Sequence, residues 1–202
     1  MDTPVMRTVG SSNSGTAPSP AIVPLDPARD RRALETHFAS LNSEDLRYRF
    51  CGTMKPEGVA QFLDQISVTS TPCYGVFNGG LALVAVCQLE RSGCNLEVGL
   101  TVLSAFRCKG FGKTLLHRSA SYARARGLKS LNIHSLGDNT PMLSLARRIG
   151  MKVTIHSGAA DGHLTLGAGT KKGICRRAVA PDQNTTVSSV TKNRDIIALR
   201  SN

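Results

Sequence analysis

The amino-acid sequence predicts a mixed α/β domain in which six to seven strands, mostly antiparallel, are flanked by about four helices. Three observations carry that expectation. Apolar residues recur at helical spacing in the first third, extended apolar runs broken by turn residues fill the middle, and a strand and helix then alternate before a closing hairpin.

Each element follows in order. Ile22 and Val23 form a short apolar pair before PLDPARD, and RRALETHFASL then places Leu34, His37/Phe38 and Leu41 on one helical face. SEDLRYRF adds a helical turn or two. In PEGVAQFLDQI, Val59, Phe62, Leu63 and Ile66 stand at i, i+3, i+4 and i+7 behind a first-turn proline, which favours a helix start. The period then changes. CYGVF, LALVAVCQLE and CNLEVGLTVL are extended runs separated by Asn78-Gly79-Gly80 and Arg91-Ser92-Gly93, which read as a three-stranded antiparallel meander. Gly112 to Gly127 carries Leu115, Leu116, Tyr122 and Ala123 at helical spacing, and KSLNIHSL reads as a strand. Asp138 or Asn139 can cap the next helix, whose Met142, Leu145, Ala146 and Ile149 make one stripe before Gly150. KVTIHS and GHLTL, joined by a loop at Gly158 to Gly162, complete a hairpin. No internal repeat is visible.

At 202 residues, 41% hydrophobic and with a mean hydropathy of -0.10, the chain suits one core with loose ends. Residues 1–20, rich in Ser, Thr, Gly and Pro, are expected to be disordered, 21–166 to form the domain, and 167–202 to be a basic, weakly ordered tail. The formal charge is +11, and the tail contributes seven Lys/Arg against two Asp. Without aromatic residues to stack bases, that density supports at most a weak nucleic-acid contact by the tail. No apolar run of membrane-spanning length and no signal-peptide order appear, so a cytoplasmic location and no membrane partner are expected. Six cysteines at irregular spacing, without C-x-x-C, are read as reduced and mostly structural. The histidines, cysteines and acids show no ligand spacing, so no metal is expected.

The chemistry concentrates in RCKGFGKT, residues 107–114. Its GKT ending matches a triphosphate loop, but G-x-x-x-x-G-K-[ST] requires a glycine where Arg107 stands. The shorter R-x-x-G-x-G pattern remains, in which backbone N–H groups at a helix start grip a pyrophosphate.

With LEVGLTVLSAFRCKGFGKTLL before it and DNTPMLSLARRIGM about twenty-five residues on, this stretch resembles the GNAT superfamily of N-acetyltransferases. LNSEDLRYRF extends the resemblance toward the acetyltransferase domain of bacterial protein lysine acetyltransferases, over roughly residues 21–166. The resemblance implies one central sheet, acetyl-CoA as cosubstrate and an amine acceptor, either a protein lysine or a small molecule. It implies that the amides from Arg107 through Cys108, Lys109, Gly110 and Phe111 to Gly112 meet the pyrophosphate, with Lys109 and Lys113 adding charge. Leu100 to Val102 would meet the pantetheine arm as an added edge, and Asn139 would contact the CoA arm. Gly110 and Gly112 carry the tightest steric demand. Cys108 stands where relatives often have glycine, so a left-handed backbone there would be strained.

An amine with a pKa of about 10.4 costs about 4.6 kcal/mol to neutralise at pH 7, so a base is worthwhile. Glu97 matches the family's frequent catalytic glutamate; His134, on the following strand, is the other candidate. A thiol with a pKa near 8.5 leaves without a dedicated acid, which matters because Ala146 stands where relatives often have tyrosine. The missing tyrosine keeps a non-catalytic acyl-CoA-binding or sensory module open as an alternative. The acceptor's identity and the oligomeric state are not legible.

Overall fold

The computed structural model describes residues 21–69 and 71–167. The expectations for 1–20 and for the tail from 168 onward lie outside the described residues. The elements run β1 (Ile22–Leu25), α1 (Arg31–Ala39), α2 (Ser43–Phe50), α3 (Pro56–Val68), β2 (Cys73–Phe77), β3 (Leu83–Ser92), β4 (Asn95–Val102), α4 (Phe111–Ala125), β5 (Ser130–Leu136), α5 (Thr140–Arg148), β6 (Lys152–His156) and β7 (Ala159–Thr165). The mixed, mostly antiparallel sheet is as expected, with seven strands. Five helices replace the expected four or so, because SEDLRYRF is a complete helix. Asn42 caps it by accepting from Asp45 N at 2.7 Å, and Cys51 ends it in the left-handed region at φ 54.

The strand order is β1-β2-β3-β4-β5-β7-β6, and every pairing is antiparallel except β4 with β5. Strand alternation divides the apolar side chains between two cores. Leu96 and Val98 of β4 pack with Leu89, Leu115, Leu116, Leu131 and Ile133 on the α4 face, while Leu34, Phe38, Leu63 and Ile66 cover the other face with Val86. Glu97, Gly99 and Thr101 therefore point toward α1–α3.

Two expectations need correction. The loop placed at Gly158 to Gly162 is limited to a turn at Ser157-Gly158. β7 starts at Ala159 because its register against β5 pairs Leu136 with Ala159 and His134 with Asp161. Nor are all the thiols reduced. Cys73, Cys87 and Cys108 are free thiols, but Cys94, at the β3–β4 reversal, is disulfide-bonded. Burial pushes the Cys73 and Cys87 thiols up to about 12, as suits inert structural cysteines. Among the described residues, no helix is long and apolar enough to cross a membrane.

The feature that positions the site is a fork. β4 and β5 pair from Asn95–Glu97 against Ser130–Asn132, yet β4 continues to Val102 and β5 to Leu136. Beyond Glu97 each strand stays bonded to its outer neighbour and the two diverge. Helix α2 contacts both strands and ties the two sides together: Asp45 pairs with Arg107 after β4, and Arg47 reaches Asp138 after β5 at 2.6 Å.

Candidate active site

The fork opens into a cleft of about 740 Å³, large enough for a cofactor arm and a small second molecule. Its walls are the diverging strands, the start of α4, the start of α5, and the α2–α3 face.

The start of α4 is shaped by backbone conformation. Cys108 has φ 60 and Gly110 φ 83, so the chain makes two left-handed residues just before the helix. The strain expected at Cys108 is thus present, at a cost of about 1–2 kcal/mol for a non-glycine residue. Gly110 and Gly112 are glycines for different reasons. A Cβ on Gly110 would meet nothing within 4 Å, so its requirement is the positive φ. A Cβ on Gly112 would lie 2.9 Å from Leu145 Cδ2 and 3.4 Å from Leu100 Cδ2, so its requirement is close approach of α4 to β4 and α5. The first-turn N–H groups of α4 have no intrahelical acceptor and carry the helix's partial positive charge. Thr114 is used locally: its Oγ1 donates to Gly110 O at 3.0 Å.

Of the residues predicted for this region, Leu100, Val102, Arg107, Cys108, Gly110, Phe111, Gly112, Lys113 and Asn139 line the cleft; Lys109 does not. Its ammonium sits 4.8 Å above the Phe106 ring. The Arg107 guanidinium is engaged by the buried Asp45 carboxylate, and its Nε donates to Val102 O at 3.2 Å, so this side chain braces the turn. Asn139 is also committed: its Oδ1 accepts from Met142 N at 3.2 Å and its Nδ2 donates to Ser135 Oγ at 2.9 Å. Leu103 N donates to Val84 O at 3.0 Å, toward β3. By alternation, the main-chain groups of Leu100 and Val102 face the fork, where β5 has turned away.

On the α1–α3 side, Glu97 is half-buried, with 18% of its side chain exposed. Burial raises its carboxyl above the usual range; His134 and Arg49 pull the other way, while Glu90 and Asp161 add to the rise. Glu90 is directly opposite Glu97 in the β3–β4 register. His134 Nε2 lies 3.8 Å from Glu97 Oε2, and its Nδ1 is hydrogen-bonded to Asp161 Oδ1. With Nδ1–H donating to that carboxylate, Nε2 is the ring nitrogen turned toward Glu97. Both candidate bases therefore meet at the mouth of the fork, 3.8 Å apart.

Four residues of this site were not singled out from sequence. Asp161 was hidden in a presumed loop, and Asp45 and Arg49 sit on α2 among other charges. Gly99 carried a signal: a glycine within a strand marks close approach of another group. That group is Arg49, whose Nη2 would be 2.3 Å from a Cβ at Gly99. Ala146 is fully buried, so the position where a tyrosine was sought offers no donor.

Residues 41–151 match the model of the acetyltransferase (GNAT) family. Among solved structures, the GNAT domain of PAT from S. lividans superposes with a TM-score of 0.64 at 19% identity, covering 72% of this chain and 89% of that one. A GNAT superfamily phosphinothricin acetyltransferase from Sinorhizobium meliloti, solved in complex with AcCoA, gives 0.58 at 18% identity, covering 81% and 97%. A protein from Salmonella typhimurium, solved with its cofactor acetyl-CoA, gives 0.57 at 18% identity, covering 74% and 95%. At these identities the likeness is one of fold.

Proposed function

The chain belongs to the acetyltransferase (GNAT) family, and from that premise we propose that it is an acetyl-CoA dependent N-acetyltransferase that acts on a primary amine by direct attack. The observation that carries this reading is the fork. It joins a helix start rich in free amides, an open strand edge and a carboxyl of raised pKa in one cleft.

The residues suit the cosubstrate. The amides from Arg107 to Gly112 would hold its pyrophosphate, Lys113 would add positive charge, and the close approach permitted by Gly112 keeps a side chain out of the way. Leu100 and Val102 would hydrogen-bond the pantetheine arm as an added edge, and the same edge offers an N–H to the carbonyl oxygen as negative charge develops there. Asn139 helps shape this wall by capping α5.

Bound acetyl-CoA supplies the acetyl group as a thioester. The amine nitrogen forms the new bond to the carbonyl carbon as the C–S bond breaks. Glu97 accepts the amine proton, directly or through one water, and the sulfur leaves with the electron pair and takes its proton from solvent. His134, held by Asp161 with its Nε2 3.8 Å from Glu97 Oε2, would receive that proton in turn once the pair closes to hydrogen-bond distance. The test is thiol release from acetyl-CoA with a panel of amines and peptides. Amine-dependent CoA release by the wild-type chain is expected; failure to bind acetyl-CoA, or binding without turnover on any amine, overturns the proposal. The second outcome is the one expected of a non-catalytic acyl-CoA-binding module.

A further inference from the structure

The acceptor half of the cleft contains a cation the reaction does not use. Arg49 lies across Gly99 and against the edge-to-face pair of Phe50 and Phe62, with its Cζ 5.1 and 5.2 Å from their centroids. Its Nη2 donates to Gln88 Oε1 at 2.7 Å, which is a neutral partner. The neighbouring arginines differ: Arg107 is paired with Asp45 and Arg47 with Asp138. Among the described residues, no carboxylate lies within ion-pair distance of Arg49.

A guanidinium held half-buried with a neutral partner is costly unless a ligand completes it, since it carries five donors and a full charge. Burial holds this guanidinium below the usual arginine range, a direction that reflects lost water contact, although arginine stays protonated. The fold also fixes it in place. Gly99 leaves room for it, the paired Phe50 and Phe62 rings support one side of it, and Gln88 orients one end of its fork. Glu97 and Gly99 are alternate residues on one strand face, with Cα atoms about 7 Å apart, so the base and the residue that Arg49 lies across share one wall of the cleft. A lysine side chain entering from a protein surface brings an aliphatic stem and leaves this charge unmatched.

We infer that the acceptor is a small amine that also bears a carboxylate, seated on the Arg49 guanidinium with its amine toward Glu97. The inference rests on the acetyltransferase reading and narrows its substrate class. Gln88 and Gly99 position the arginine rather than touch the reacting atoms.

The experiment compares CoA release by the full chain with matched amines: 3-aminopropanoate against propylamine, 4-aminobutanoate against butylamine, and a lysine-containing peptide with blocked ends. The carboxylate-bearing member of at least one pair should show a kcat/KM about 10- to 100-fold higher, the range of a charged hydrogen-bonded contact. In Arg49→Gln that ratio should fall below about threefold, with Arg49→Lys in between. Gly99→Ala, which keeps the charge but displaces the guanidinium, should also lower it. Acetyl-CoA affinity by calorimetry should stay within about threefold in a folded variant, because Arg49 lies on the acceptor side. Equal use of both members of each pair, preference for the peptide, no turnover of any carboxylate-bearing probe, or variants that slow both members equally would overturn the inference. If the wild type binds no acetyl-CoA, the acetyltransferase reading fails as well. If it binds and acetylates neutral amines best, only the substrate class is wrong.

Discussion

Glu97→Gln should separate catalysis from stability. The substitution preserves shape, so its effect comes from the charge and the lone pair. A positioned base contributes about 10²- to 10⁴-fold, or about 2.7–5.4 kcal/mol at 1.36 per tenfold. Neutralising the amine at pH 7 costs about 4.6 kcal/mol, inside that range, so kcat/KM should fall by 10² or more. Stability should move the other way. Burial leads the rise of the Glu97 carboxyl, so the native state binds more protons than the unfolded chain between the unfolded and folded pKa values, and stability is lost as pH rises through that window. Gln removes this cost, so the variant's Tm at pH 8 should equal or exceed that of the wild type, and the advantage should vanish below about pH 4. Thiol-release kinetics and thermal unfolding on the same preparations decide it. Activity within threefold of wild type would remove Glu97 as the base; a joint fall in activity and Tm would make it structural.

Other perturbations follow from the same geometry. Cys108→Gly relieves a left-handed residue but frees the unfolded chain, so the two effects of about 1 kcal/mol should nearly cancel, whereas Cys108→Val should cost about 1–2 kcal/mol more in urea unfolding; equal stabilities would show the turn is not strained. Asp45→Asn should release Arg107 and cost about 1–2 kcal/mol, with acetyl-CoA bound several-fold more weakly; unchanged affinity by calorimetry would mean that the pair does not brace the turn. His37 is buried, with Nδ1 2.9 Å from Leu83 O and Nε2 2.8 Å from Thr101 Oγ1, and burial lowers its pKa. Its contribution is full above the ordinary histidine range near 6.5 and is lost as pH falls toward the lower folded value, so His37→Gln should flatten the stability profile there; an unchanged slope between about pH 6.5 and 5 would contradict this.

What could be read from the chain was what local pattern determines. Period-two runs with Asn-Gly and Ser-Gly turns gave the meander, and the strand–glycine–helix order around RCKGFGKT located the α4 start. Non-local pairing determined the rest. Ala159, Ala160, Asp161 and Gly162 have little strand preference of their own and become strand because β5 lies beside them, which is why Asp161 was missed. Arg49 looks like any charged helix residue until Gly99, Phe50 and Phe62 are brought around it. The fork is a property of strand order, and no single segment records it.

The central claim is that the fork holds acetyl-CoA on the α4 start. Calorimetric titration of acetyl-CoA into the wild type, Glu97→Gln and Gly112→Val tests it most directly. One molecule should bind per chain in the wild type and in Glu97→Gln, and binding should be lost in a folded Gly112→Val, whose side chain would force α4 from Leu100 and Leu145. Wild-type affinity in Gly112→Val, or no binding in the wild type, would contradict the account.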